Sequence, residues 1–294
     1  MKITRFVIRT LLIYILSATL LVCIVFLPSD VRLHFDNNST IPKLHIPWET
    51  YIHDVKGYFS QLSKGELGLT KSQTSVADEL KRVVPRTIKI ILPAFFIIMV
   101  FGVLKGIYDY RNSNRWTRWF GDRLTSLTQS FPDFFFIMAI VWIILFYLPF
   151  IDVFAYEKWY GFILPALIVA LYPLTFVAKI TAGALAQEKG EQYVQVSHSK
   201  GLKEKAVVYR HMLQNSIGTV LSHLSSIMLL LISNLIILEL FLDYKGAAYR
   251  LFFAVPTERE LIVAIALVFM TIVFATQIVA YLLRIYLDPR ERGA

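Results

Sequence analysis

Residues 188–214 read EKGEQYVQVSHSKGLKEKAVVYRHMLQ, a polar island between two runs apolar enough to cross a bilayer. Lys189, Lys200, Lys203, Lys205 and Arg210 outnumber Glu188, Glu191 and Glu204 there, and short loops with an excess of Lys and Arg stay on the cytosolic side of a membrane. The centre, Ser197-His198-Ser199-Lys200-Gly201-Leu202, sets small residues and a glycine between two stretches of helical spacing. Glycine takes positive φ without a Cβ clash and lets another backbone come close. The expected shape is therefore helix, tight turn, helix. Taken alone, such a loop either fixes topology or is presented to a partner.

Working outward, the 294 residues are 56% hydrophobic and 14% aromatic, with mean hydropathy +0.57. That is too apolar for a soluble domain and requires several membrane spans. The net charge of +9 raises nucleic acid as a partner, but the basic residues sit beside apolar runs, where topology accounts for them. Cys23 is the single cysteine, which excludes an internal disulfide and a cysteine-based metal cluster.

Six spans are expected. Lys2, Arg5 and Arg9 precede the apolar run Thr10 to Leu27, about long enough for a ~30 Å hydrocarbon core. A secretory signal peptide competes with this reading. No small-x-small cleavage site follows at Pro28-Ser29-Asp30, so an uncleaved first helix is expected over 1–27. Residues 28–87 form a mixed, polar external domain with Asn37-Asn38-Ser39-Thr40, Pro42 and Pro47. His34, His45 and His53 lie in it at a spacing that matches no ligand pattern, and read as surface histidines. Ser75-Val76-Ala77-Asp78 begins like a capping box, predicting an amphipathic helix to about Val84.

The second span is Ile88 to Ile107, with Lys89 and Lys105 near its ends where their stems reach the interface. The loop Tyr108 to Ser130 carries Arg111, Arg115, Arg118 and Arg123 against Asp109 and Asp122, and holds Trp116 and Trp119 at headgroup depth. The third span, Phe131 to Phe150, opens with proline in its first turn. Gly161 to Ile180 is the fourth and contains Pro165 and Pro173. Ser216 to Leu238 is the fifth, with Ser222, His223, Ser225, Ser226, Ser233 and Asn234 facing other helices or a wet path. The sixth runs from Leu261 to Leu283, after a rim with Pro256, Glu258, Arg259 and Glu260 that is a candidate contact for a binding protein. A core thus covers 88–284, with the polar loop at 181–215 and a cytosolic tail at 285–294.

Separated stretches now carry a resemblance. Tyr193-Val194, Lys200-Gly201-Leu202, Arg210-His211 and Asn215 resemble the coupling-loop signature of type I, binding-protein-dependent ATP-binding-cassette (ABC) transporter permeases, in the dipeptide, oligopeptide and nickel branch. Gly65, Gly68, Val76 and Pro85-Arg86-Thr87 resemble that family's external segment before its second span. Ser130, Pro132 and Phe134 resemble its Ser-Pro-x-Phe motif, and Glu239, Phe241, Gly246, Arg250 and Leu251 its glutamate, phenylalanine and glycine stretch. The ending Asp288-Pro289-Arg290-Glu291-Arg292 is similar to its terminus. Departures are Lys245 and Thr219 where the branch has proline, and Val196-Ser197-His198-Ser199 where it has Thr-Ala-Arg-Ala.

The resemblance implies an all-α integral membrane protein of six transmembrane helices with both termini cytosolic, lying in the cell membrane. It implies half of a translocation pathway, completed by a second related permease, two ABC ATPase subunits and an external substrate-binding protein. Coupling to the ATPase would fall to Glu191, Tyr193, Ser197, Lys200, Gly201, Leu202, Lys203, Arg210, His211 and Asn215. Ser226, Asn234, Glu239, Phe241 and Gly246 would belong to the pathway or its outer gate. No G-x-x-x-x-G-K-[ST] loop is present, so ATP hydrolysis belongs to the separate subunits, and no cofactor or catalytic residue is expected. Peptides are the substrate implied, with nickel or a metal chelate as the alternative. Two other classes compete. An intramembrane enzyme would need a Ser with a His, or paired aspartates, at matched depth within spans, and the candidates Ser222 and His223 point apart on a helix. A scaffold that keeps the fold without transporting is the other.

Overall fold

The computed structural model describes residues 2–28, 32–34, 43–45, 47–112, 119–152, 154, 158–255 and 257–287, with backbone alone at 2–3, 32–34 and 43–45. The features expected at Asn37 to Thr40, Pro42, Arg115, Trp116, Arg118, Pro256 and the Asp288 to Arg292 ending lie outside them.

In chain order the elements are α1 (Lys2–Val25), β1 (Arg32–His34), β2 (Lys43–His45), α2 (Trp48–Ser63), α3 (Val76–Arg111), α4 (Asp122–Ser130), α5 (Asp133–Tyr147) and α6 (Ile163–Glu188). After these come α7 (Gln192–Ser199), α8 (Glu204–Ala206), a wider π-type turn over Val207–Met212, α9 (Leu213–Ser222), α10 (Leu224–Phe241), α11 (Ala247–Ala254) and α12 (Arg259–Leu287). Five helices, α1, α3, α6, α10 and α12, are long and apolar enough to cross a membrane; α4 and α5 together pass the same test of length and apolarity, making six if the bent pair counts as one span. The protein is a nearly all-helical, multi-pass membrane protein. Its one departure among the described residues is the short antiparallel hairpin that pairs Leu33 with Leu44.

Three expected spans differ in detail. The amphipathic helix and the second span are one 36-residue helix, α3, which passes through Pro85 and Pro93 without ending. Pro85 removes one hydrogen bond, to the carbonyl of Lys81, and both residues are exposed where solvent or headgroups can serve that oxygen. Where the third span is expected the structure has α5, 15 residues long, and α4 meets it at 101°. Pro132 drives this bend by holding Phe131 extended, with φ −94° and ψ 148°. Asp133 Oδ1 then accepts the Phe134 N–H at 2.9 Å and opens α5. The fifth span breaks at His223, whose φ of −93° and ψ of 4° separate α9 from α10. The preceding residue, Ser222, donates its hydroxyl back to the Gly218 carbonyl at 2.8 Å, a bond that bends helices.

The chain forms two compact units, Met1–Val84 with Arg250–Thr271 and Pro85–Tyr249 with Ile272–Ala294. In the first, Val22 and Phe26 of α1, Tyr58 of α2 and Val263 of α12 make a core, with the Phe26 and Tyr58 rings 5.2 Å apart. Gly68 adopts φ 93° and a Cβ there would lie 2.7 Å from the Glu260 side chain, so only glycine fits the loop before α3. Ser75 Oγ accepts the Ala77 N–H at 3.2 Å and caps that helix. Arg250 donates to Glu79 at 3.0 Å and to Glu258 at 2.6 Å, and His53 stands exposed on α2 beside Asp54.

In the second unit α6 packs against α4, α5, α9 and α10. It also meets α3 closely. A Cβ on Gly102 would lie 2.7 Å from Val177 Cβ, and one on Gly106 would lie 2.6 Å from the Ala178 carbonyl oxygen. Two glycines four apart make the flat face on which membrane helices approach backbone to backbone. Lys105, near the end of the expected second span, is paired within the protein. It turns to Asp109, which is 2% exposed, and donates also to Thr125 Oγ1 at 3.0 Å and to the Gly121 carbonyl at 3.3 Å. A buried carboxylate without such partners would be unaffordable in an apolar interior, and this one ties α4 to α3.

Candidate functional site

Two places gather the residues singled out by the sequence. The first is the elbow between α6 and α9. Glu191 sits at the start of α7 in extended conformation and its carbonyl accepts the Val194 and Gln195 N–H groups. Tyr193 donates its hydroxyl to Glu188, and Ser197 donates to the Tyr193 carbonyl at 2.7 Å. At the other end of α7 the Gly201 N–H reaches the His198 carbonyl at 2.9 Å and the Leu202 N–H reaches Ser197 at 3.3 Å. That bond pair closes a helix on a left-handed residue, and Gly201 takes φ 77°. Lys203, extended, then starts α8.

The underside of the elbow is apolar. Val194, Val207, Val208 and Met212 pack with Ile107 of α3 and Leu185 of α6 in one buried cluster, and Tyr193 lies against it. The upper side is open. Glu191, Lys200, Gly201, Leu202, Lys203 and Arg210 are exposed, whereas His211 and Asn215 are half-buried and Ser197 is buried. Among the described residues, its two chain neighbours aside, nothing lies within 4 Å of where a Gly201 Cβ would stand. Val196 and Tyr209 are exposed beside these residues and were not singled out by sequence reading. Their signal was available, an apolar residue on the polar face of a short helix.

The second place is the far end of α10. Glu239 is fully buried. Its Oε1 accepts the Thr87 hydroxyl at 2.7 Å and its Oε2 accepts the Tyr249 N–H at 2.8 Å. Thr87 Oγ1 in turn accepts the Ala247 N–H at 2.7 Å. A Cβ on Gly246 would collide with Glu239 Oε1 and lie 2.5 Å from Thr87 Oγ1. Glu239, Gly246 and Thr87 thus form one polar cluster that joins α3, α10 and the start of α11. Thr87 had no assigned role in the sequence, because its partner stands 152 positions away.

The remaining pathway candidates do not join this cluster. Phe241 is exposed along an apolar groove with Phe135, Met138 and Trp142. Ser226 is exposed. Asn234 is fully buried in α10, and neither its amide nitrogen nor its oxygen has a hydrogen-bond partner among the described residues.

Comparison with known proteins identifies the family. The family profile described as "Binding-protein-dependent transport system inner membrane component" matches residues 98–293. A putative peptide transport system permease protein of Brucella abortus (strain 2308) is 27% identical over 230 residues, covering 74% of this chain and 72% of that protein. The glutathione transport system permease protein GsiC of Escherichia coli (strain K12) is 25% identical over 199 residues, covering 66% and 64%. The chain belongs to the family of binding-protein-dependent transport system inner membrane components, the permease subunits of ABC importers.

Proposed function

We propose that this permease forms half of the translocation pathway of a peptide importer in the cell membrane and takes its mechanical input through the elbow at 188–214. A second related permease supplies the other half. Two ABC ATPase subunits and an external binding protein complete the complex, and both termini lie in the cytosol. The chain itself performs no catalysis; nucleotide chemistry belongs to the ATPases. The peptide assignment draws support from relatives named for peptide and glutathione transport.

The observation that carries the coupling role is the two-sidedness of the elbow. Among the described residues its basic, partly apolar upper face is exposed, while its underside is packed into the same cluster as Ile107 and Leu185. Packed interiors are stiff. A push on the upper face therefore passes to α3, α6 and α9 rather than dissipating in a loop. Leu202, at the exposed turn, reports contact. In a Cys23→Ser background, Leu202→Cys in the importer complex is expected to cross-link to an ATPase subunit carrying a cysteine in its permease-facing groove, with a yield that changes on ATP binding. Absence of any cross-link in an active complex would overturn the role.

A further inference from the structure

Beside the Glu239 cluster lies a pocket of about 560 Å³ whose wall carries Arg86, Lys89, Lys158 and Lys245. They come from three separate stretches of chain, α3, the α5–α6 link and the turn after α10. Lys158 is paired with Asp152 at 3.0 Å. Arg86, Lys89 and Lys245 have no acidic partner among the described residues. Among the described residues Asp243 is the only carboxylate in the lining, and it is engaged by the Tyr249 hydroxyl. Three cations converging on one hollow repel one another and focus a positive potential there.

The wall is also held in place. Arg86 Nη1 donates to the Lys245 carbonyl at 3.2 Å, and the Tyr244 hydroxyl donates to the Arg86 carbonyl at 3.3 Å. The Tyr244 N–H bonds the Glu239 carbonyl at 2.9 Å. The cations therefore ride on backbone fixed by the buried cluster, the kind of preorganisation that lowers the cost of binding. Trp159, 82% exposed, forms an apolar lip. The volume falls within the ~300–1,000 Å³ of small-molecule sites, and a guanidinium with two ammonium groups suits a carboxylate.

We propose that this pocket holds the free carboxylate of the transported peptide at the outer end of the pathway, an inference that rests on the importer reading above. The test is lysine footprinting of the complete importer complex in neutral-lipid nanodiscs, with exposed Lys64 as internal reference. N-acetyl-trialanine, which carries one carboxylate, is expected to slow acylation of Lys89 and Lys245 several-fold relative to Lys64. Its C-terminal amide is expected to leave both rates unchanged, and Arg86→Gln to weaken the protection.

Equal protection by acid and amide, or none by either, overturns the proposal. So does protection that is present before any probe in phosphatidylglycerol nanodiscs and is not displaced by N-acetyl-trialanine, which would assign the pocket to a lipid headgroup. Uptake of trialanine by proteoliposomes supplied with the binding protein separates the two readings. Protected lysines without peptide uptake leave the pocket standing and remove peptide import; uptake with unprotected lysines does the reverse.

Discussion

The two ends of this permease treat polar groups in opposite ways. At the far end of α10, Glu239, Thr87, Ala247 and Tyr249 satisfy one another inside the protein, around a glycine with no room for a methyl group. At the elbow, the polar and charged groups of the upper face are exposed, and order comes from the backbone turn at Gly201 and the apolar underside. The first arrangement is complete within one chain and resists change. The second is packed where it meets the helices and exposed on its other side. Stability and coupling should therefore separate cleanly under mutation.

The largest effect is expected where the carboxylate is removed. Glu239→Ala leaves the Thr87 hydroxyl and the Tyr249 N–H without their acceptor, and each buried orphan costs about 1–3 kcal/mol. A marked fall in Tm of the detergent-solubilised complex and reduced protein in the membrane are expected. In a double-mutant cycle, Thr87→Ala with Glu239→Ala should be clearly less damaging than the sum of the two changes, because they remove one shared bond. Strict additivity would show that the cluster does not act as a unit.

Next comes Gly246→Ala, which inserts one methyl group against Glu239 and Thr87. Overpacking of this kind costs about 1–3 kcal/mol. The expected result is again a lower Tm, with transport per folded complex close to that of the parent. Loss of uptake at unchanged Tm would move Gly246 from a packing role to the gate.

The elbow should behave in the reverse manner. A β-branched residue at φ 77° is strained by about 1–2 kcal/mol. That strain falls on an exposed turn, so Gly201→Val is expected to abolish uptake and transport-coupled ATP hydrolysis while protein abundance and Tm stay near the parent. Gly201→Asn should be much milder, since Asn tolerates left-handed backbone. Equal loss with both substitutions would point to the need for a bare backbone under a partner rather than to φ.

What could be read in the chain follows the same division. The elbow was legible because its signals are local, a glycine and clustered charge interrupting hydrocarbon, and the turn at Gly201 has the expected form. The core spans were legible from apolar length. Three features were not. Pro85 suggested a helix end, yet α3 runs through it because the lost bond is at an exposed carbonyl. His223 lay among Ser222, Ser225 and Ser226, a polar patch that reads equally as a helix face turned to its neighbours and so does not by itself mark a break. The Thr87–Glu239 bond joins residues too far apart for spacing to reveal, although a threonine and a glutamate within apolar helices each call for a partner.

The smallest effect on the fold is expected from charge at the elbow. Lys200 and Lys203 are exposed and make no ion pair among the described residues, so Lys200→Gln with Lys203→Gln should shift stability by less than about 0.5 kcal/mol. In the coupling role proposed above, their work is to meet the ATPase. Charges on a rim act mainly through encounter rate and are screened by salt. The double variant should therefore assemble more slowly with the ATPase at low salt, and the gap from the parent should close as salt rises. Two parallel salt curves would mean that the lysines face no acidic groups, and that the partner is gripped by the apolar side chains Val196, Leu202 and Tyr209 instead.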